Sequence, residues 1–409
     1  MEGKDPMEPS EKQESLSPSL EGRGEKTLPA GRPIALFLPS LRGGGAERAM
    51  ADLARCFSGR GHAVDVVLPR AEGPCLAMLP REVRVVDLAA SRTLAALPGL
   101  VRYIRRERPA ALLSTPEHGN IIAIAARFLA GGGPRLAVRA ANTLSADSRS
   151  APSLRGRVLL PLAVRLLYRF ADSVVAVSES VAGDLAKSAG IPPERIRVIY
   201  NPVVGPELFL QAGAPPLHPW LSGGGPPVVL AAGRLAPQKD YPTLLRAFRI
   251  VRGRRSARLL VLGEGPDRPL LEGMAGELGL SGDADFPGFA ANPFPCMKRA
   301  ALFVQSSAWE GLPNALIQAM ALGTPVVGTD CPGGTSEILR GGALGRLVPP
   351  GDPEALAEAI CDGLDEKIPP CPLCGVEDRF GEDEIAKSYL EELGVPSPSV
   401  PEARIHTSR

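Results

Sequence analysis

Apolar runs of strand length alternate with helical stripes along most of this chain. Ile34–Leu38 is a continuous apolar run, and Pro39–Gly45 is a turn-rich loop ending in three glycines. Ala46, Ala49, Leu53, Ala54 and Phe57 then recur at helical spacing, and Gly59 and Gly61 stop the helix before a second run, Val64–Leu68. That order predicts a βαβ unit. The alternation continues with runs at Ala110–Ser114, Arg135–Arg139 and Val174–Ser178 and an apolar helix at Ile121–Leu129. Strands that are apolar throughout, rather than at every second position, imply a parallel sheet covered on both faces.

Tyr200–Pro202 closes this first series. Residues 203–227 are rich in Pro and Gly without periodicity and read as a linker. A second series follows, with strands predicted at Val228–Ala232, Arg258–Leu262, Leu302–Gln305 and Val326–Thr329 and helical segments between them. Asp383–Leu393 is a further helical segment, placed to pack back across the junction. The expected fold class is therefore α/β, with two Rossmann-like domains facing across a cleft. The expected domains are 32–202 and 228–381, joined by 203–227, with a crossing helix at 382–395 and disordered tails at 1–31 and 396–409. The turn-rich stretch 367–377 has no predicted place.

Charge changes the picture more than composition does. The net formal charge is +1, but residues 33–200 hold 23 Lys and Arg against 13 Asp and Glu, and residues 226–394 hold 16 against 23. A basic half faces an anionic partner such as nucleic acid, phospholipid or a phosphorylated acceptor. The seven scattered cysteines suit a reducing compartment, and the pair Cys371 and Cys374 has metal-like spacing without a second pair nearby. Residues 1–31 lack the apolar core of a signal peptide, and the chain has no apolar run of spanning length. Any membrane contact is therefore expected to be peripheral. Leu154–Arg169, where Arg155, Arg157, Arg165 and Arg169 lie among Leu and Val, is the expected place for it.

The densest chemistry lies in Ser306–Met320. A strand leads through Trp309, Glu310, Gly311 and Leu312 to Pro313, expected at the first helical position, and Gly323 closes the helix. Amides of Gly311, Leu312 and Asn314 at a positive helix end would bind a diphosphate, with the Glu310 carboxylate facing the group attached to it. Upstream, Gly233 opens a loop flanked by Arg234 and Lys239, two cations able to stabilise a departing diphosphate without a metal. Gly44 and Gly45 permit close backbone approach and form a second wall for the same ligand. The loop is not a dinucleotide fingerprint, because the third glycine spacing and the acidic ribose ligand are both lacking. His118, between a strand and a helix, is a further candidate at the sheet edge.

Taken in order, Gly43–Arg48, Val198–Pro202, Gly233–Leu235, Gly263–Pro266 and the Glu310 segment make the chain similar to the GT-B fold retaining glycosyltransferases of family four, over roughly residues 33–395. The resemblance implies that a nucleotide diphosphate sugar binds mainly to the second domain and an acceptor to the first, with no metal or other cofactor. It implies that Arg234 and Lys239 hold the diphosphate, that Glu310 contacts the donor sugar and that His118 lies near it. Gln318 stands where the family usually has a second Glu toward the ribose. Arg139–Thr143 departs from the Glu-His pair that the resemblance leads one to expect before Asn-Thr. The run Thr329–Glu337 leans the donor toward UDP. The expected acceptor is a lipid-linked glycan or other carbohydrate, reached from the cytoplasmic face of an anionic membrane, with no nucleic acid partner. Two competing readings share the architecture: a non-hydrolysing nucleotide-sugar epimerase, and a catalytically weak nucleotide-sugar-binding protein.

Overall fold

The computed structural model describes residues 31–150, 154–371 and 373–395. The tails 1–30 and 396–409 and the side chains of Arg155, Arg157 and Cys374 lie outside the described residues.

Seven strands form the first sheet: β1 (Ile34–Phe37), β2 (Val64–Leu68), β3 (Arg84–Asp87), β4 (Ala111–Ser114), β5 (Arg135–Ala140), β6 (Ser173–Ala176) and β7 (Ile196–Val198). Their order is β3-β2-β1-β4-β5-β6-β7, and every pair is parallel. Six more form the second sheet: β8 (Val228–Ala232), β9 (Arg258–Leu262), β10 (Ala284–Gly288), β11 (Leu302–Gln305), β12 (Val326–Thr329) and β13 (Arg346–Val348). These run β10-β9-β8-β11-β12-β13, again all parallel. In both sheets the strand order reverses next to the first strand of the series, the topology that leaves a crevice at the carboxyl ends of the strands.

The apolar runs became central strands because both their faces are covered: β1, β2, β4, β6 and β11 are buried along their whole length. Helices form the outer layers. The helix Gly45–Gly59, for example, buries Ala49, Met50, Leu53, Ala54 and Phe57 and leaves its polar side outward.

Several local details differ from expectation. The strands β3, β7, β10 and β13 were not predicted, and all four lie at sheet edges. The helix after β4 begins at Glu117 rather than Ile121. Residues 203–227 are not bare linker: they hold the helix Pro206–Ala212 and a short helical turn at Pro219–Leu221, with Leu208, Ala212 and Leu221 buried. The stretch that had no predicted place contributes to the helix Leu373–Phe380, whose Val376 and Phe380 join the core.

After the second sheet the chain crosses back as the helix Glu382–Glu392. Ile385, Ala386, Tyr389, Leu390 and Leu393 enter the same apolar cluster as Ile34, Leu36, Leu53 and Phe57. Its start pairs with that first long helix through Arg55–Glu382 and Arg60–Asp383. Its end is held where Glu392 accepts from Ser173 Oγ at 2.7 Å and Arg197 Nε at 2.9 Å.

Candidate active site

A cavity of about 750 Å³ lies between the halves. It is walled by the loops that follow β1, β4 and β5 on one side and β8, β9 and β11 on the other. Both sheets thus present their carboxyl-terminal strand ends to one space, where ligands of open α/β sheets bind.

On the second half, the segment after β11 turns sharply and starts the helix Asn314–Ala321. Pro313 is the residue before that helix rather than its first residue, with ψ of 87°. Among the described residues no acceptor takes the amides of Gly311, Leu312 or Asn314. These donors sit at the positive end of a helix and line the cavity. Gly311 is required by packing across the cleft, since a Cβ there would lie 1.9 Å from the carbonyl oxygen of Ala141.

Glu310 is buried and its Oε1 is heavily used: Lys239 Nζ donates at 2.5 Å, Ser307 Oγ at 2.6 Å and Gln305 Nε2 at 3.4 Å. The carboxylate and the lysine are therefore an ion pair, and removing the lysine leaves the buried carboxylate incompletely compensated. Arg234, by contrast, is exposed, lines the cavity and has no carboxylate within salt-bridge distance among the described residues. Gly233 completes this loop. Its backbone is crossed by that of Gly263, where a Cβ would fall 1.9 Å from the Gly233 carbonyl oxygen. Gln318, one helical turn after Asn314, is buried and lines the cavity, and no hydrogen bond holds its side chain among the described residues.

The first half supplies the opposite wall. Gly44 is the residue before the helix Gly45–Gly59, and Gly44 and Gly45 both line the cavity. A chain of hydrogen bonds passes from here across the cleft: Asn314 Nδ2 donates to the Gly45 carbonyl at 3.1 Å, and Asn201 Nδ2 donates to Asn314 Oδ1 at 2.7 Å. Arg139 donates in turn to Asn201 Oδ1, to Thr115 Oγ1 at 3.2 Å and to Tyr389 Oη at 3.1 Å. Arg139 is wholly buried, and every one of these partners is neutral. Deeper in, Glu117 is buried with its Oε1 unpartnered among the described residues, and burial pushes its carboxyl up to about 7, with Asp147 adding to the rise and Arg139 opposing it.

Asp147 also lines the cavity. Its Oδ1 accepts from Asn142 Nδ2 at 2.8 Å and from Trp309 Nε1 at 3.1 Å, so the residue next to Glu310 is tied to the first half. Burial raises its carboxyl to about 6, against the opposing effect of the Trp309 hydrogen bond.

The structure thus brings Gly44, Gly45, Gly233, Arg234, Lys239, Glu310, Gly311, Leu312, Asn314 and Gln318 around one cavity. His118 is not among them. It is exposed as the second residue of the helix Glu117–Leu129, because Glu117 occupies the inward position and the next residue turns about 100° away. Sequence reading passed over Asp147, Asn201 as a cross-cleft bridge and the burial of Arg139. A cation inside an apolar run, next to the last residue of β5, was the available signal for Arg139. Among the described residues no three His, Cys, Asp or Glu side chains cluster closely enough to hold a metal ion.

The family described as glycosyltransferase family 4 matches residues 43–204, and the family described as glycosyl transferases group 1 matches residues 226–366. An uncharacterised glycosyltransferase of Methanocaldococcus jannaschii is 40% identical over 113 residues, which are 27% of this chain and 28% of that protein. The chain thus spans less than a third of that relative's length. The N-acetylgalactosamine-N,N'-diacetylbacillosaminyl-diphospho-undecaprenol 4-alpha-N-acetylgalactosaminyltransferase of Campylobacter jejuni is 26% identical over 77% of this chain and 85% of its own. The fold is shared with Alr3699/HepE of Anabaena, solved in complex with UDP-glucose, at a TM-score of 0.74 and 22% identity over 88% of this chain and 99% of that one. With its two parallel sheets facing one cleft and a family match in each half, the chain belongs to the group 1, family four glycosyltransferases of GT-B fold.

Proposed function

We propose that this protein transfers a hexose or N-acetylhexosamine from a UDP-sugar to a lipid-linked or polysaccharide acceptor, with retention at the anomeric carbon and without a metal. The observation that carries the reading is the juxtaposition of Arg234 and Lys239 with the unpaired amides of Gly311, Leu312 and Asn314 on one wall of the cavity. Fixed donors of this kind match the charge that accumulates on a diphosphate as its bond to the sugar breaks, and they need no reorganisation at that moment. Glu310, next to those amides, orients the sugar hydroxyls. On binding, its ion pair with Lys239 is shared with the ligand, since Lys239 then serves the diphosphate as well. Gln318 contacts the ribose side through a neutral hydrogen bond where a carboxylate would make a charged one.

The acceptor enters from the first half. Support for a lipid-linked acceptor comes from the diphospho-undecaprenol substrate named for the Campylobacter relative and from the outer surface of this half. Val158, Leu159, Leu162 and Leu166 are exposed on the helix Leu154–Leu167, with Phe128 and Phe170 exposed on neighbouring segments. Arg165 and Arg169 lie among them, and Arg127 NH1 donates to the Phe170 carbonyl at 3.3 Å. An apolar face bordered by arginines rests on an anionic bilayer from the cytoplasmic side. No helix among the described residues is long and apolar enough to cross a membrane.

The test is a panel of UDP- and GDP-sugars scored first by thermal shift and then by transfer to polyprenyl-diphosphate-linked sugars, with the anomeric configuration of the product read by NMR. The reading requires stabilisation by a UDP-sugar and an α-linked product from an α-linked donor. An inverted product, or a donor sugar epimerised without acceptor, would refute it. Sedimentation with anionic but not zwitterionic vesicles tests the membrane face.

A further inference from the structure

We infer that Asp147 is an acceptor-recognition residue: its Oδ2 receives a hydrogen bond from a hydroxyl of the acceptor sugar, while Asn142 and Trp309 hold the carboxylate in place through Oδ1. The inference rests on the transferase reading above and extends it to the acceptor side of the cavity, where this chain lacks the Glu-His pair that the resemblance leads one to expect before Asn142 and Thr143.

Three observations carry it. Asp147 lines the cavity together with Asn142, on the wall opposite the diphosphate-binding amides. Both hydrogen bonds to its side chain fall on Oδ1, at 2.8 and 3.1 Å, and among the described residues none falls on Oδ2. A carboxylate oriented by one oxygen and open at the other is an acceptor with fixed direction, which suits a sugar hydroxyl and repels a phosphate. Finally, one of its anchors is Trp309, the residue before Glu310. The group that meets the acceptor is thereby held in register with the group that meets the donor sugar, although it comes from the other half of the chain.

The charge environment fixes what pH does to this contact. Asp184 faces Asp147 from the helix Glu179–Ala189, where it also caps the Ser145 amide at 2.9 Å, and its negative charge adds to the effect of burial. Glu117 is the other carboxyl coupled to it, and Arg139 faces Glu117 from β5. With its carboxyl raised to about 6, Asp147 is ionised at neutral pH and takes up a proton just below it. A protonated carboxyl is a weaker acceptor of a hydroxyl hydrogen bond. Acceptor binding therefore weakens as pH falls through about 6.

The experiment uses the full chain, the UDP-sugar that the panel selects and a polyprenyl-diphosphate-linked sugar in detergent, with KM measured separately for donor and acceptor between pH 5 and 8. Asp147→Asn keeps an acceptor oxygen for Trp309 and Asn142 and turns the cavity-facing atom into a donor. It raises the acceptor KM at pH 8 by about tenfold or more, changes the donor KM by less than about twofold and abolishes the rise in acceptor KM below pH 6 seen in the wild type. Trp309→Phe, which removes one of the two anchors of the carboxylate and leaves Asn142, raises the acceptor KM by a smaller factor and keeps the pH dependence. Asp147→Asn with the acceptor KM and pH profile of the wild type overturns the inference and leaves the transferase reading standing. A wild type that binds and turns over no sugar nucleotide in the panel overturns both.

Discussion

The two walls of the cavity handle charge in opposite ways. On the second half, the buried Glu310 carboxylate is compensated within the protein by Lys239 and two further donors, and the donors left open to the cavity are backbone amides and the exposed Arg234. On the first half, Arg139 is buried among neutral partners and Asp147 offers one open oxygen. A wall that neutralises the Glu310 carboxylate internally and adds an unpaired cation and backbone amides is suited to an anionic ligand part such as a diphosphate. A wall that leaves buried polar groups open needs its ligand to complete it, and buried polar groups without partners discriminate strongly between related substrates. The groups left to a ligand thus differ between the walls: a cation and backbone amides on the second half, a carboxylate oxygen on the first.

The sharpest way to break the comparison is at Glu310. Glu310→Gln lowers the kcat of transfer on the order of 10²-fold while the UDP-induced thermal shift persists, because the change falls on the sugar and not on the diphosphate. A proportionate loss of UDP binding would show that the carboxylate only shapes the loop. Next come the two cations, which the structure separates. Arg234→Ala raises the donor KM about tenfold with Tm unchanged, since the side chain is exposed and unpaired. Lys239→Ala also lowers Tm by several degrees, because it leaves Glu310 buried without its cation. Equal Tm values for the two variants would contradict the ion pair.

Glu117→Gln tests the buried charge behind the first wall. The native carboxyl, raised to about 7, binds its proton more tightly than the unfolded chain does. The native state thus loses stability as pH rises from about 4.5 through 7. Glutamine removes that penalty and stabilises the fold by about 1–3 kcal/mol at pH 8, with the gain gone by pH 4, as read from urea midpoints at each pH. A gain that does not vary with pH would mean that packing, not ionisation, is responsible. The smallest effect is expected at Gln318→Glu, which strengthens UDP-sugar binding by a few-fold through a charged hydrogen bond to the ribose. Isothermal titration detects the change, and weaker binding would place the ribose elsewhere.

How far the sequence was legible follows from burial. The strands predicted from continuous apolar runs are central in their sheets, and five of them, β2, β8, β9, β11 and β12, match the predicted bounds residue for residue. The four that escaped are edges. Arg84–Asp87 and Arg346–Val348, for instance, are half-exposed and mix charge with Val and Leu, so they carry no apolar run. The loop residues around Glu310 were legible because glycine and proline mark backbone that must bend or approach closely. Asp147 was not, because an aspartate in a short helix looks like solvated surface until Trp309, distant in sequence, is seen to reach it. His118 misled for a related reason: its neighbour Glu117 is the one turned inward, and periodicity over two residues could not decide between them.

The crossing helix Glu382–Glu392 has a consequence for how the chain is made. Leu36, Leu53 and Phe57 emerge early from the ribosome, yet the Tyr389 and Leu390 that cover them are translated only after the entire second sheet. At roughly 5–20 residues per second that delay is on the order of ten seconds or more. For that interval the older half lacks the share of its apolar cluster that Tyr389 and Leu390 supply, so the order of synthesis delays the completion of that core.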